Sequence, residues 1–115
     1  MMNRPIKLDD SDLARELSSL PEWTVSEGKL HREFAFLDFA GAFGFMASAA
    51  LVAQAMDHHP EWSNAWNKVR VDLVTHDAGG ITALDFKLAR AMEDLVHRQQ
   101  LDPIRMAQPP TVRGH

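Results

Sequence analysis

Three of the chain's six histidines fall in one short run. His58 and His59 are adjacent and stand directly before Pro60, and His76 follows at the end of a strand-like stretch. Imidazole both gives and takes protons near neutral pH, which no other side chain does without help from its surroundings. Three such rings around a small pocket suit an acid–base reaction that needs neither metal nor cofactor. Taken singly, each has a structural alternative. His58 and His59 suit a helix C-terminus, where positive charge is favourable with the dipole, and His76 is an ordinary strand-end residue. His31, His97 and His115 read as surface residues.

The same stretch raises a metal site as a rival, because Asp57, His58, His59, His76 and Asp77 carry imidazole and carboxylate donors. Neighbours in extended chain point to opposite sides, so His58 and His59 are poorly placed to share one ion. Their spacing also matches no standard zinc pattern. The expectation is therefore no metal and no cofactor.

The elements that must position these groups follow from hydrophobic spacing. Residues 9–20 read as a helix: Asp9, Asp10 or Ser11 caps it, Leu13, Leu17 and Leu20 recur at helical spacing, and Pro21 stops it. Residues 23–26 and 30–36 alternate and are joined through Glu27-Gly28-Lys29, a β-hairpin pattern. Asp38 caps a second helix over 39–56, apolar nearly all round and so expected to be largely enclosed. Gly41 and Gly44 are read as allowing close packing there. Pro60 biases His59 away from helical geometry. Strands are expected at 61–66 and 69–75, with Asn67-Lys68 as the tight connection. Val69, Val71 and Leu73 share one face of the second strand, and Lys68, Arg70 and Asp72 the other.

Asp77-Ala78-Gly79-Gly80 turns the chain into a third helix over 83–101. Thr82 is its N-cap, Asp85 the capping-box acid three residues on, and Ile81 with Phe86 a hydrophobic staple. Leu84, Leu88, Ala91 and Leu95 are the expected inward stripe, and the tail from Pro103 is expected to be loosely ordered. The order α-β-β-α-β-β-α implies an α+β fold, a four-stranded antiparallel sheet with three helices packed on one face. Exposed strand edges would serve pairing between subunits.

Composition narrows the function classes. At 115 residues one domain is expected, with its ordered core over about 9–101. A net charge of −4 offers no clustered basic surface for nucleic acid. The absence of cysteine excludes disulfides and thiolate zinc sites. Only Gly41, Gly44, Ser48 and Gln54 interrupt the apolar set between Phe39 and Met56, nearly enough for a membrane span. Much of that stretch is alanine, however, and Asp38 and Asp57 bracket it, so a helix of a soluble fold is expected. The opening residues lack an apolar h-region, and a cytoplasmic protein is the expectation.

His58-His59-Pro60-Glu61-Trp62, Asn64, Asn67-Lys68-Val69, Thr75-His76-Asp77, Gly80, Thr82 and Asp85 together resemble the pterin-4a-carbinolamine dehydratase family, also known as dimerisation cofactors of a hepatocyte homeodomain transcription factor. The likeness extends more weakly through Trp23, Phe34, Phe36 and Phe43-Gly44-Phe45-Met46, covering about residues 9–101. One departure stands out: Gln54-Ala55 replaces a Glu-Lys pair common in the family.

The resemblance implies dehydration of a 4a-hydroxytetrahydropterin to the quinonoid dihydropterin, a step that recycles the cofactor of aromatic amino-acid hydroxylases. It implies His58 and His76 as the proton-transfer pair and His59 as the residue that holds and orients the ring. Pro60, Thr75, Asp77 and Ala78 would supply further substrate contacts, and Trp62 would wall the pocket, although Trp62 and Trp66 also read as core. Asp85 is a supporting residue whose first role is the helix cap. A homodimer or homotetramer and a functional link to a hydroxylase are the implied partners. The alternative is a non-enzymatic binding or dimerisation module, coactivator-like or an assembly factor. Retention of all three histidines favours catalysis over that alternative.

Overall fold

The computed structural model describes residues 5–101, so the tail from Pro103 lies outside the described residues. The order is α1 (Asp10–Leu17), β1 (Thr24–Ser26), β2 (Lys29–Ala35), α2 (Phe39–Met56), β3 (Glu61–Ala65), β4 (Lys68–Leu73), a short 3-10 turn at His76–Ala78, and α3 (Ala83–Leu101). The strands form one antiparallel sheet in the order β1-β2-β4-β3. The fold is α+β, with both hairpins and all three helices as expected.

Strand alternation divides the sheet into two faces. Leu30 and Phe34 of β2 and Val69, Val71 and Leu73 of β4 are buried, and residues of all three helices join them in one core cluster. Phe45 of α2 lies 4.7 Å from Phe34 and 5.1 Å from Phe36 between ring centroids, clamping helix to sheet. Such a buried aromatic is worth roughly 1.5–3 kcal/mol by burial alone. Glu93 of α3 accepts from Trp23 Nε1 and Arg32 Nη1, both at 2.7 Å, tying the third helix to the same inner face. The opposite face carries Lys29, His31, Glu33, Arg70, Asp72 and Glu61.

Caps set the helix starts. Asp9 Oδ1 accepts from the Asp12 amide at 2.8 Å, and Asp38 Oδ1 from the Gly41 amide at 2.7 Å. Thr82 and Asp85 form the reciprocal capping box: Asp85 Oδ2 accepts from the Thr82 amide at 2.9 Å, and Thr82 Oγ1 from the Leu84 amide at 3.2 Å. Ile81 and Phe86 are both buried beside it.

Several sequence expectations need correction. Helix α1 ends at Leu17 rather than residue 20, because Leu20 turns back to donate to the Leu17 carbonyl and sinks into the core. The β3–β4 turn is Trp66-Asn67, since Lys68 already pairs with Ala35 and Ala65. Trp66 adopts a left-handed φ of 52° there and is 68% exposed, so it is not core. Strand β4 stops at Leu73, and Thr75 forms an isolated bridge with Gly80 beyond it.

In α3 the fully enclosed residues are Asp85, Phe86, Leu88, Ala89 and Met92, while Leu84, Ala91 and Leu95 are only partly covered. The stripe is thus rotated from the expected one, because the cap turns Asp85 and Phe86 inward.

Helix α2 is not enclosed. It buries Gly41, Ala42, Phe45, Ala49 and Ala53 and leaves Phe39, Phe43 and Leu51 at 51%, 56% and 74% exposure. A two-layer sandwich offers a helix one face to pack on, and among the described residues the other side of α2 is left uncovered. Gly44 lies on that open side, with nothing within 4 Å of where a Cβ would stand. Length and composition would also let α2 cross a membrane, and 28% of it is buried within the fold.

Candidate active site

The cleft forms where the end of α2 meets the end of β4. Asp57 closes α2 with a left-handed φ of 53°, a conformation Asp tolerates better than most residues. The Asp57 and His58 amides then donate back to the carbonyls of Gln54 and Ala53, at 3.1 and 3.0 Å. This helix-ending pattern satisfies two orphan carbonyls and reverses the chain, driving His58 inward while His59 stays exposed.

On the other side, Thr75 and Gly80 exchange backbone hydrogen bonds at 3.0 and 3.3 Å, pinching off the loop that carries His76. Gly79, at φ 78°, permits the closure. The resulting cavity measures about 270 Å³, just under the roughly 300–1,000 Å³ usual for small-molecule sites. His58, His59 and His76 all line it, with Asp57, Val74, Thr75 and Asp77.

Each imidazole has a different oxygen partner. His58 Nε2 lies 2.6 Å from Asp85 Oδ1, in a contact closed to solvent. Asp85 Oδ2 accepts from the Thr75 hydroxyl and the Thr82 amide, both at 2.9 Å. With the Thr75 proton so used, the Thr82 hydroxyl donates to Thr75 Oγ1 at 2.8 Å. Three hydrogen-bond partners thus converge on this fully buried carboxylate, and a buried charge is tolerated only when it is paired in this way. Because Nε2–H of His58 is committed to Asp85, Nδ1 is the nitrogen left for chemistry.

His76 is mostly exposed, and its Nε2 lies 2.8 Å from Glu61 Oε2. The ammonium of Lys29, hydrogen-bonded to Glu61, holds that carboxyl below the usual carboxylate range, and the hydrogen bond with His76 adds to the effect. His59 Nε2 makes a long 3.3 Å contact with Gln54 Oε1. The Gln54 departure therefore places a neutral amide beside His59.

Of the residues expected at the site, His58, His59, His76, Thr75 and Asp77 meet around the cleft, and Asp85 supports it from behind. Pro60, Trp62 and Ala78 do not line it. Trp62 faces the inner side of β3 and packs against the core, because strand alternation sends it there.

From sequence alone neither Val74 nor Glu61 is placed at the site, and Asp57 is read as a metal donor and as a charge bracketing the apolar stretch rather than as part of the cleft. The left-handed tolerance of Asp just after a helical pattern was the one available signal for its placement. Among the described residues, no three His, Asp or Glu side chains converge as metal ligands would.

Imidazoles able to exchange protons, carboxylates hydrogen-bonded to two of them and a cleft of nearly small-molecule size are equipment suited to an acid–base enzyme. The model of the family described as pterin 4 alpha carbinolamine dehydratase matches residues 6–95. A protein of Solibacter usitatus, provisionally named pterin-4-alpha-carbinolamine dehydratase, is 56% identical over 89 residues, 77% of this chain and 94% of its own length. A similarly named Rhodopseudomonas palustris protein is 50% identical over 99 residues, 84% of this chain and 96% of its own. The crystal structure of a transcriptional coactivator/pterin dehydratase from Brucella melitensis superposes with a TM-score of 0.75 at 47% identity, over 77% of this chain and 97% of that one. The chain belongs to the pterin-4a-carbinolamine dehydratase family.

Proposed function

We propose that the protein is a hydro-lyase that expels water from a pterin 4a-carbinolamine. The observation that carries this reading is the gathering of His58, His59 and His76 around one cleft, each ring on its own acceptor. In the reaction the C4a–O bond breaks and the hydroxyl leaves as water with one added proton. N5–H gives up a proton, and its electrons form the C4a=N5 double bond of the quinonoid dihydropterin.

His58 and His76 serve as the proton-transfer pair, each with Nε2 held by a carboxylate. Acid–base assistance of this kind contributes about 10²–10⁴ in rate. His59 orients the ring, and Thr75 and Asp77 border it. The physiological substrate on this reading is 4a-hydroxytetrahydrobiopterin released by an aromatic amino-acid hydroxylase in the cytoplasm, and the quinonoid product serves that hydroxylase again only after a separate two-electron reduction to the tetrahydropterin. Decay of freshly made 4a-hydroxytetrahydropterin, followed by absorbance, tests the reading; a decay rate equal to that in buffer would sink it.

Self-association belongs to the same proposal. The open face of α2, with Phe39, Phe43 and Leu51 exposed, and the unpaired edges of β1 and β3 favour a homodimer or homotetramer. The α2 face also favours a second reading, a protein-binding module, in keeping with the Brucella melitensis protein's being called a transcriptional coactivator/pterin dehydratase. A chain that bound a protein partner yet left the pterin untouched would establish that reading instead.

A further inference from the structure

Glu61 connects the cleft to the bare face of the sheet. It opens β3, with Oε2 2.8 Å from His76 Nε2 and Oε1 2.6 Å from Lys29 Nζ. Glu61 stands opposite Asp72 in the β3–β4 register, and Asp72 stands opposite His31 in the β2–β4 register. His31 Nδ1 is 2.8 Å from Asp72 Oδ1. Two carboxylates facing each other across paired strands repel. Lys29 lies within the field of both, and its ammonium is stabilised first by the hydrogen bond to Glu61 and also by Asp72.

His76 depends on this arrangement more than the other rings depend on theirs. Its side chain is 73% exposed, and Glu61 is its sole hydrogen-bond partner among the described residues. His58, by contrast, is gripped by a buried carboxylate that is itself held by two further donors. An exposed ring hops between rotamers in picoseconds to nanoseconds, and misplacing a reacting group by about 1 Å can cost roughly 10²-fold in rate.

We propose that Glu61 is a positioning residue for His76, with Lys29 bracing the carboxylate from the far side. The hydrogen bond from Nε2–H to Oε2 holds the ring so that Nδ1 is offered to the substrate. When Nδ1 takes or gives a proton, Nε2 keeps its own, and Glu61 remains a carboxylate throughout. The kinetic consequence rests on the dehydratase reading; the tether itself does not.

The test compares wild type with Glu61→Ala, Glu61→Gln and Lys29→Met in the carbinolamine decay assay, alongside thermal unfolding and carbon relaxation at His76 Cε1–H. Glu61→Ala is expected to lower kcat about tenfold, with KM held within about twofold. Glu61→Gln should recover much of that loss, because its amide oxygen still accepts from Nε2–H. Lys29→Met should give a smaller loss in the same direction. The order of the His76 ring should fall in Glu61→Ala, while that of His59 holds. Unchanged kcat in Glu61→Ala, or a loss that merely tracks the unfolding midpoint, overturns the proposal. If wild type itself fails to accelerate the decay, the dehydratase reading falls. The relaxation arm then still decides the tether, and unchanged His76 order in Glu61→Ala overturns it.

Discussion

Asp85 Oδ1 and His58 Nε2 meet at 2.6 Å in a contact that solvent does not reach, and the same carboxylate closes the first turn of α3. The helix cap and the orienting group for a cleft imidazole are therefore one side chain. Folding of α3 and preparation of the site cannot be separated.

Asp85→Ala is accordingly expected to damage both. It removes a helix cap and leaves His58 and Thr75 with unmet buried donors, at a cost of roughly 2–4 kcal/mol. For a domain of this size the unfolding midpoint should drop by roughly 10 °C or more, as thermal denaturation would show. Asp85→Asn should cost less, since its oxygen can still accept from His58, but the amide cannot replace all three accepted bonds. A midpoint unchanged in Asp85→Ala would contradict the network.

The histidines can be separated by rate. His76→Ala should abolish most of the acceleration of carbinolamine decay, and His58→Ala should impair it, within a combined range of about 10²–10⁴. His59→Ala should act chiefly through KM, as expected for a residue that orients the ring. A His58→Ala/His76→Ala double variant as fast as the parent would mean the site is misassigned.

The Lys29–Glu61 pair makes a pH prediction. The Glu61 carboxyl is held below its ordinary range, so its stabilising effect is complete above about pH 4.3 and is lost as pH falls through the lowered value. Lys29 is raised, so its effect is complete below about pH 10.4 and is lost as pH rises through the higher value. The gap in unfolding midpoint between wild type and Glu61→Gln should close at more acidic pH, as the Glu61 carboxyl is protonated. Both side chains are substantially exposed, so the gap should be small and should shrink with salt. Midpoints measured across pH 2–10 would check the shape.

The open face of α2 predicts association. Wild type should sediment as a dimer or tetramer, and Leu51→Glu or Phe43→Glu should shift it towards monomer without unfolding it, because neither side chain belongs to the core. Sedimentation velocity at several concentrations would decide. A wild-type monomer at every concentration would remove the oligomer from the proposed function.

Much of the scaffold could be read from the chain alone. Period-two spacing in Val69, Val71 and Leu73, and the cap signals at Asp9, Asp38 and Thr82, are local properties of neighbouring residues. They place the helices and hairpins to within a few residues. The histidine run and its resemblance likewise pointed to one region of the fold, and five of the residues expected there line its cleft.

What local pattern could not supply is which distant groups face one another. The insertion of β4 beside β2 brings Lys29 across to Glu61, and that pairing joins residues 32 apart in sequence. The left-handed turn at Asp57 buries His58 against Asp85 and turns His59 outward, a choice between adjacent identical side chains. The packing of α2 on one layer left its other face bare, where composition alone suggested enclosure. The sequence by itself determined the kinds of groups and the elements that carry them. The tertiary structure decided their partners, because hydrogen bonds and burial depend on separation in space, which chain position does not set.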